Sequence, residues 1–443
     1  MSAARKTRSA SSSRSGKPAK RRAKPRKSQP PVEYSLLLTA TLCLLAFGVV
    51  MVFSASSTTS LLGESGDASF YLKRTALFGI LGLLVLRVLS IRGVRMLRTL
   101  TPLLMGVSIV LLVAVMVPGI GVEVNGSRRW IGAGIVQIQP SEVAKVALVL
   151  YGAHLLATRP RMTRSISDMA PFLMAVGLIC FLVVMEPDLG TAMVAVFASA
   201  AMLVAAGARA RDLGVLAGAL GVLVLLAILI EPYRMERLTG FINPGSDPAG
   251  SGFQAIQAKI ALGSGGVFGV GLGESLQKAF YLPEAHTDMI AAVIGEELGL
   301  MGIAMVAGLF GLFTYAGMRT AQRARDRYTK LLAAGLTSLV AVQAAINLFA
   351  VLGLAPLTGV PLPFVSYGNS SMLTLLAAVG LLLNIARSPN ATLRVVDGGR
   401  SAAASRRSTA GRSSRADAKG RDSRGRDSRA RRAGARGRRR AAG

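Results

Sequence analysis

Ten stretches of this chain, each roughly 17 to 25 residues long, are dominated by apolar side chains, and that pattern leaves little choice of fold. They fall at 34–53, 70–89, 100–117, 141–157, 170–185, 190–207, 213–230, 289–315, 331–353 and 368–386. A bilayer's hydrocarbon core, about 30 Å thick, is crossed by about 20 helical residues, and lipid offers no partner for backbone polar groups outside a helix or a closed barrel. The expected fold is therefore all-α: a polytopic membrane protein with about ten transmembrane helices and a large extracellular loop between spans 7 and 8.

Charge supports the same division. The 443 residues are 51% hydrophobic yet carry a net charge of +30. Of 52 Lys and Arg, 11 lie in residues 1–33 and 18 in residues 387–443, against five acidic residues in the same two segments, so the ends hold +24 of the charge. Three regions follow: a disordered basic cytoplasmic tail (1–33), a membrane domain (34–387) and a disordered Arg-rich cytoplasmic tail (388–443). The tails have no aromatic interleaving, which argues against nucleic acid and for anionic lipid headgroups as their partner. Loops expected inside carry Arg87, Arg92, Arg95 and Arg98, then Arg159, Arg161 and Arg164, then Arg209 and Arg211, then Arg319 to Lys330. Loops 54–69 and 355–366, expected outside, carry neither Lys nor Arg. Cys43 and Cys180 each sit in an apolar run and read as small buried hydrophobes. No cleavable signal peptide is apparent, so the first span is expected to remain.

With this topology the unusual sequence gathers outside: Asn125 to Lys145, EPDLG at Glu186 to Gly190, the long segment 232–287, and the proline-rich turn Leu354 to Ser371. The stretch Tyr281 to Gly299 links this polar face to an apolar segment that holds Glu296 and Glu297. If helical from Asp288, it places Glu296 two turns below on the same face, with Thr287 available as a cap. Asp288, preceded by Glu284 and His286, reads as a partly desolvated general base or as a first-turn residue favouring the helix dipole. Glu142 and Lys145, three apart after Pro140, read as a self-neutralising pair or as part of a cavity. Arg128 and Arg129 run against the topological bias and suit an anionic ligand such as a diphosphate, while Trp130 also fits an interfacial anchor. The glycine run Gly263 to Gly273 lacks the Walker lysine and serine; its glycines suit close approach to a ligand or another helix. Pro356, Pro361 and Pro363 suggest a broken segment entering the membrane.

The stretches NGSRRWI, QPSEVAK, EPDLGTA, EPYRMERLTGFINP, LPEAHTD, GEELG and PLPFVSYGNSS, in this order, resemble the SEDS family (shape, elongation, division, sporulation) over roughly residues 34–387. EPYRMERLTGFINPGSDPAGSGFQ and SLQKAFYLPEAHTD lean toward its division branch over its elongation branch. The resemblance implies a ten-span peptidoglycan glycosyltransferase that polymerises lipid II at the outer face of the bacterial cytoplasmic membrane. It also implies a class B penicillin-binding protein transpeptidase as partner, with other division membrane proteins nearby. The family's essential aspartate falls on Asp288, its loop arginine and tryptophan on Arg129 and Trp130, and its fourth-span pair on Glu142 and Lys145. Further substrate-binding candidates in the same motifs are Arg128, Lys278, Glu284, His286, Ser366 and Ser370. Asn369 and Met289 depart from a usual glycine and a usual aromatic.

On this reading Asp288 deprotonates the acceptor's sugar 4-hydroxyl, which attacks the anomeric carbon of a donor carrying a polyprenyl diphosphate, with inversion. The departing diphosphate needs cations, from Arg128, Arg129, Lys145 or a divalent ion, Mg or Mn, for which no ligand set is visible and no other cofactor is expected. A lipid II flippase, a division scaffold and an elongation polymerase are the rival expectations.

Overall fold

The computed structural model describes residues 31–63, 66–124, 126–133, 136–250, 252–279 and 281–387. The two basic tails expected to be disordered lie almost wholly outside the described residues. Among the described residues there are eleven α-helices and three short strands, and eight of the helices are long and apolar enough to cross a bilayer.

α1 (Val32–Leu62) begins two residues before the first apolar run and continues past its end. α2 (Phe70–Met116) joins the second and third runs without an intervening loop. A straight helix of 47 residues would be roughly 70 Å long, over twice the hydrocarbon thickness. Its two ends nevertheless reach one side of the molecule. Tyr71 lies against His286 and Tyr367, and Val115 meets Gly121 beside the strands. Between them Arg98 lies over the Tyr328 ring at the opposite side. The helical backbone thus reverses around Arg92 to Pro102 and supplies two crossings. α3 (Pro140–Thr158) is excluded from the eight because Glu142, Lys145 and His154 dilute it. Counting α2 twice and adding α3 recovers the ten crossings expected.

α4 (Ile166–Met185) is capped by Ser165, and α5 (Leu189–Ala206) by Asp188, whose Oδ1 accepts the Thr191 amide at 2.9 Å. α6 (Ala210–Ile230) buries none of its residues, as a helix facing lipid along its length should. The long outer segment is not loop throughout: it forms α7 (Pro232–Ile242) and α8 (Phe253–Gly265). α9 (Ile290–Gln322), α10 (Arg327–Val351) and α11 (Asn369–Ala386) complete the bundle, α10 starting from a capping box of Asp326 and Thr329.

Loops expected inside meet at one end. Arg327 donates to the carbonyls of Leu156 and Ala206, Arg323 pairs with Glu33, and Arg387 lies over Tyr34. The opposite end carries a small antiparallel sheet in the order β1 (Gly121–Val124), β2 (Ser127–Ala133), β3 (Val136–Ile138), with Val122 opposite Trp130 and Ile131 opposite Ile138. The core runs through α1, α3, α5, α9, α10 and α11, where residues such as Leu44, Leu148, Ile294, Leu339 and Leu376 are fully buried.

Two features break the helical regularity near the functional end. α9 is interrupted at Gly299, whose φ of 66° and ψ of −162° no helix allows. The glycine run lies in this gap: the amides of Val270 and Gly271 donate to the carbonyls of Glu296 and Glu297 at 3.0 Å, and those of Leu300 and Met301 donate back to Gly266 and Val267. The close approach is thus to another helix. The proline-rich turn packs its backbone on α1, where a Cβ at Gly48 would come within 2.4 Å of the Phe364 carbonyl oxygen.

Candidate active site

Asp288 is not the first residue of a helix. α9 starts at Ile290, the N-cap position is Met289 without a side-chain cap, and Thr287 directs its hydroxyl to Glu284 Oε2 at 2.7 Å. The eclipsed alignment of Asp288 with Glu296 therefore does not form. Asp288 sits in a tight turn whose amides at Thr287 and Met289 both donate to the Glu284 carbonyl, with Glu284 itself at a φ of 55°. The turn is held from two sides. Asn347 of α10 donates to the carbonyls of Asp288 and Val360 at 2.7 and 2.8 Å, and the Tyr367 amide donates to the His286 carbonyl at 2.9 Å.

What surrounds the carboxylate sets its chemistry. A Cβ at Gly359 would lie 3.9 Å from both Asp288 Oδ2 and Arg237 Nη1, so the carboxylate and the guanidinium both lie close to this glycine. Arg237 is aimed by its bond to the Leu357 carbonyl at 3.0 Å. Burial pushes the Asp288 carboxyl up to about 6, the charge of Glu284 adds to this, and Arg237 opposes it. Burial also holds His286 below its ordinary value. Tyr71, His286 and Tyr367 form an aromatic cluster beside the turn, with ring centroids 4.3 to 5.6 Å apart.

The other expected site residues are placed unequally. Lys145 and Glu142 pair at 2.9 Å, almost wholly buried, and Lys145 also reaches Gln343 Oε1 at 3.0 Å. Gln343 donates in turn to the Pro361 carbonyl, so α3 and α10 brace the proline-rich turn through a buried polar chain. Lys278 lies in a sealed cluster with Glu297 at 2.8 Å, Ser54 at 3.2 Å and the Gly273 carbonyl at 2.7 Å. Glu296 accepts from the Ser275 hydroxyl and the Leu276 amide beside it. Ser366 accepts the Leu362 amide inside its own turn, and Ser370 is buried at the start of α11. Arg129 donates to the carbonyls of Glu186 and Pro187 at 2.8 and 2.6 Å, Arg128 pairs with Glu123, and half-buried Trp130 follows them on β2, opposite Val122. Only Glu284 and His286 share the Asp288 turn.

Glu186, at the end of α4, is buried to 1% exposure with no hydrogen bond to either carboxylate oxygen among the described residues. Burial and then the neighbouring Asp188 charge push it up to about 8, so it is neutral at pH 7. Among the described residues no three His, Cys, Asp or Glu side chains gather as metal ligands, and no step below runs through a metal.

Sequence reasoning passed over Arg237, Gln343, Asn347, Tyr71 and Tyr367. A signal existed for the first three. Arg237 is a basic residue outside, against the topological bias, and Gln343 and Asn347 are polar residues four apart within an apolar run.

This is a polytopic helical membrane protein. The family of cell cycle proteins that takes in FtsW, RodA and SpoVE matches residues 34–391, and the chain belongs to it. It is 41% identical to the stage V sporulation protein E of Bacillus subtilis (80% of this chain, 96% of that protein). It is 42% identical to the probable peptidoglycan glycosyltransferase FtsW of Thioalkalivibrio sulfidiphilus (83% and 93%). Among solved structures it is similar to a chain of a peptidoglycan synthase complex that coordinates polymerization and crosslinking, at TM-score 0.66 and 32% identity over 79% of this chain and 96% of that one. It is also similar to the rod shape determining protein RodA of Thermus thermophilus, at TM-score 0.58 and 28% identity over 80% and 96%.

Proposed function

We propose that this protein is a peptidoglycan glycosyltransferase that polymerises lipid II at the outer face of the bacterial cytoplasmic membrane during septal synthesis, with both termini cytoplasmic. Its partner is a class B penicillin-binding protein that crosslinks the strands. The observation that carries the reading is the convergence of the proline-rich turn, α7 and α10 on the Asp288 turn, whose carboxylate lies near the Arg237 guanidinium. Names of relatives at about 40% identity support the reaction class.

In this reaction the acceptor's 4-hydroxyl gives its proton to Asp288 as its oxygen attacks the anomeric carbon of the donor. The bond to the polyprenyl diphosphate breaks, and the negative charge of the leaving group is met by nearby cations. A carboxyl near 6 is about nine-tenths ionised at pH 7 and still basic enough to accept a proton in the transition state. Inversion needs this one base, and no second carboxylate has to protonate the leaving oxygen. Tyr71, His286 and Tyr367 offer ring surface to the sugars at the mouth of the site.

The test is polymerisation of purified lipid II by the full chain with its cognate transpeptidase, wild type against Asp288→Asn, at matched amounts of folded protein. Strands from the wild type and none from the variant are expected. Equal strand synthesis by both would move the base elsewhere.

A further inference from the structure

A cleft of about 200 Å³ opens between α7, α8 and the C-terminal end of α10. Its polar lining includes Arg237, Lys259, Gln254 and Glu236, and Phe241 and Val351 contribute apolar surface. Arg237 belongs to both places: it borders the cleft, and it stands as far from the Gly359 Cβ position as Asp288 does. Lys259 is exposed, and its Cε would lie 3.3 Å from a Cβ at Gly353 in the opposite wall. Gln254 ties α8 to the Asp288 turn through the Pro283 carbonyl at 3.4 Å.

The cations first expected to hold a diphosphate are occupied elsewhere. Lys145 is buried against Glu142, Arg128 is paired with Glu123, and Arg129 is bound to two backbone carbonyls. A reaction that expels a diphosphate next to Asp288 still requires positive charge within reach. The cleft is smaller than the roughly 300–1,000 Å³ of a drug-sized site, so it suits a headgroup whose hydrocarbon chain leaves along an apolar wall.

We propose that this cleft binds the diphosphate of the donor lipid, with Arg237 and Lys259 as its cations and Phe241 and Val351 against the first isoprenyl units. The inference rests on the glycosyltransferase reading and assigns that reaction's leaving-group site. Arg237 then both contacts the diphosphate and sets the distance between it and the base. The rim carboxylate Glu236 opposes a bare anion and favours a ligand that also gains from the apolar wall.

The experiment is calorimetric titration of the full chain in detergent with three probes: geranylgeranyl diphosphate, geranylgeranyl monophosphate and inorganic pyrophosphate. The prenyl diphosphate is expected to bind about tenfold more tightly than either of the others. Lys259→Gln, a change at an exposed position, should weaken the diphosphate about tenfold and leave the monophosphate nearly unchanged. Arg237→Gln should do more, with Arg237→Lys intermediate, and in polymerisation Lys259→Gln should raise KM for lipid II more than it lowers kcat. Pyrophosphate binding as tightly as the prenyl diphosphate would overturn the lipid assignment, and unchanged diphosphate affinity in both Gln variants would overturn the site. Selective binding without any lipid II polymerisation would keep the site and sink the glycosyltransferase reading. Polymerisation with unaltered binding in the variants would do the reverse.

Discussion

Asp288 and Glu297 come from one stretch of nineteen residues, yet the protein treats the two carboxylates in opposite ways. Glu297 is fully buried, with Lys278 and Ser54 supplying donors to both its oxygens. Asp288 is partly exposed, receives a long contact from Thr287 at 3.3 Å, and shares the neighbourhood of Gly359 with the Arg237 guanidinium. A charge within an apolar span is thus no sign of chemistry by itself. The distinguishing property is how much of its hydrogen-bonding capacity the fold has already used.

That contrast can be broken by substitution. The largest effect is expected at Asp288: Asn there should lower the polymerisation rate by about 10²–10⁴ while the melting temperature stays within a degree or two, measured on lipid II and by differential scanning fluorimetry. Lys278→Met should do the opposite, destabilising by about 3–5 kcal/mol because Glu297 is left buried and uncompensated. The double variant Lys278→Met with Glu297→Leu should recover most of that loss, and activity per folded molecule should remain. A pH profile of kcat/KM sharpens the comparison: its acid limb should fall about tenfold per unit below pH 6, where Asp288 takes up its proton, and Glu284→Gln should move the limb to lower pH.

Glu186 is a third case, a carboxyl that is buried without donors. Its folded value is raised, so the folded state holds a proton that the unfolded state releases from about pH 4.5, and stability falls as pH rises toward 8. Glu186→Gln should therefore be nearly silent at pH 5 and stabilising at pH 8, as read from thermal unfolding at the two pH values.

Much of this was readable in advance, and the failures have physical causes. Hydropathy located the crossings because lipid contact demands it. The helical continuity of the α2 corner escaped because Arg92 to Leu100, expected as an inside loop between two spans, are mostly good helix formers that carry the helix through the turn. The sheet escaped because its strands are three to seven residues long, although the Asn125-Gly126 dipeptide is a hairpin signal. Asp288 was legible as an acid at a span's mouth; Arg237 was not singled out, since its proximity depends on Gly359, 122 positions later in sequence.

The gap in α9 also bears on how the protein is made. Carbonyls opened at Gly299 would face hydrocarbon if the helix entered the bilayer alone, at several kcal/mol each. The amides that close two of them, at Val270 and Gly271, lie some thirty residues upstream and so leave the ribosome before the helix does. Translation delivers the patch ahead of the breach, and membrane insertion of this segment is ordered by the direction of synthesis itself.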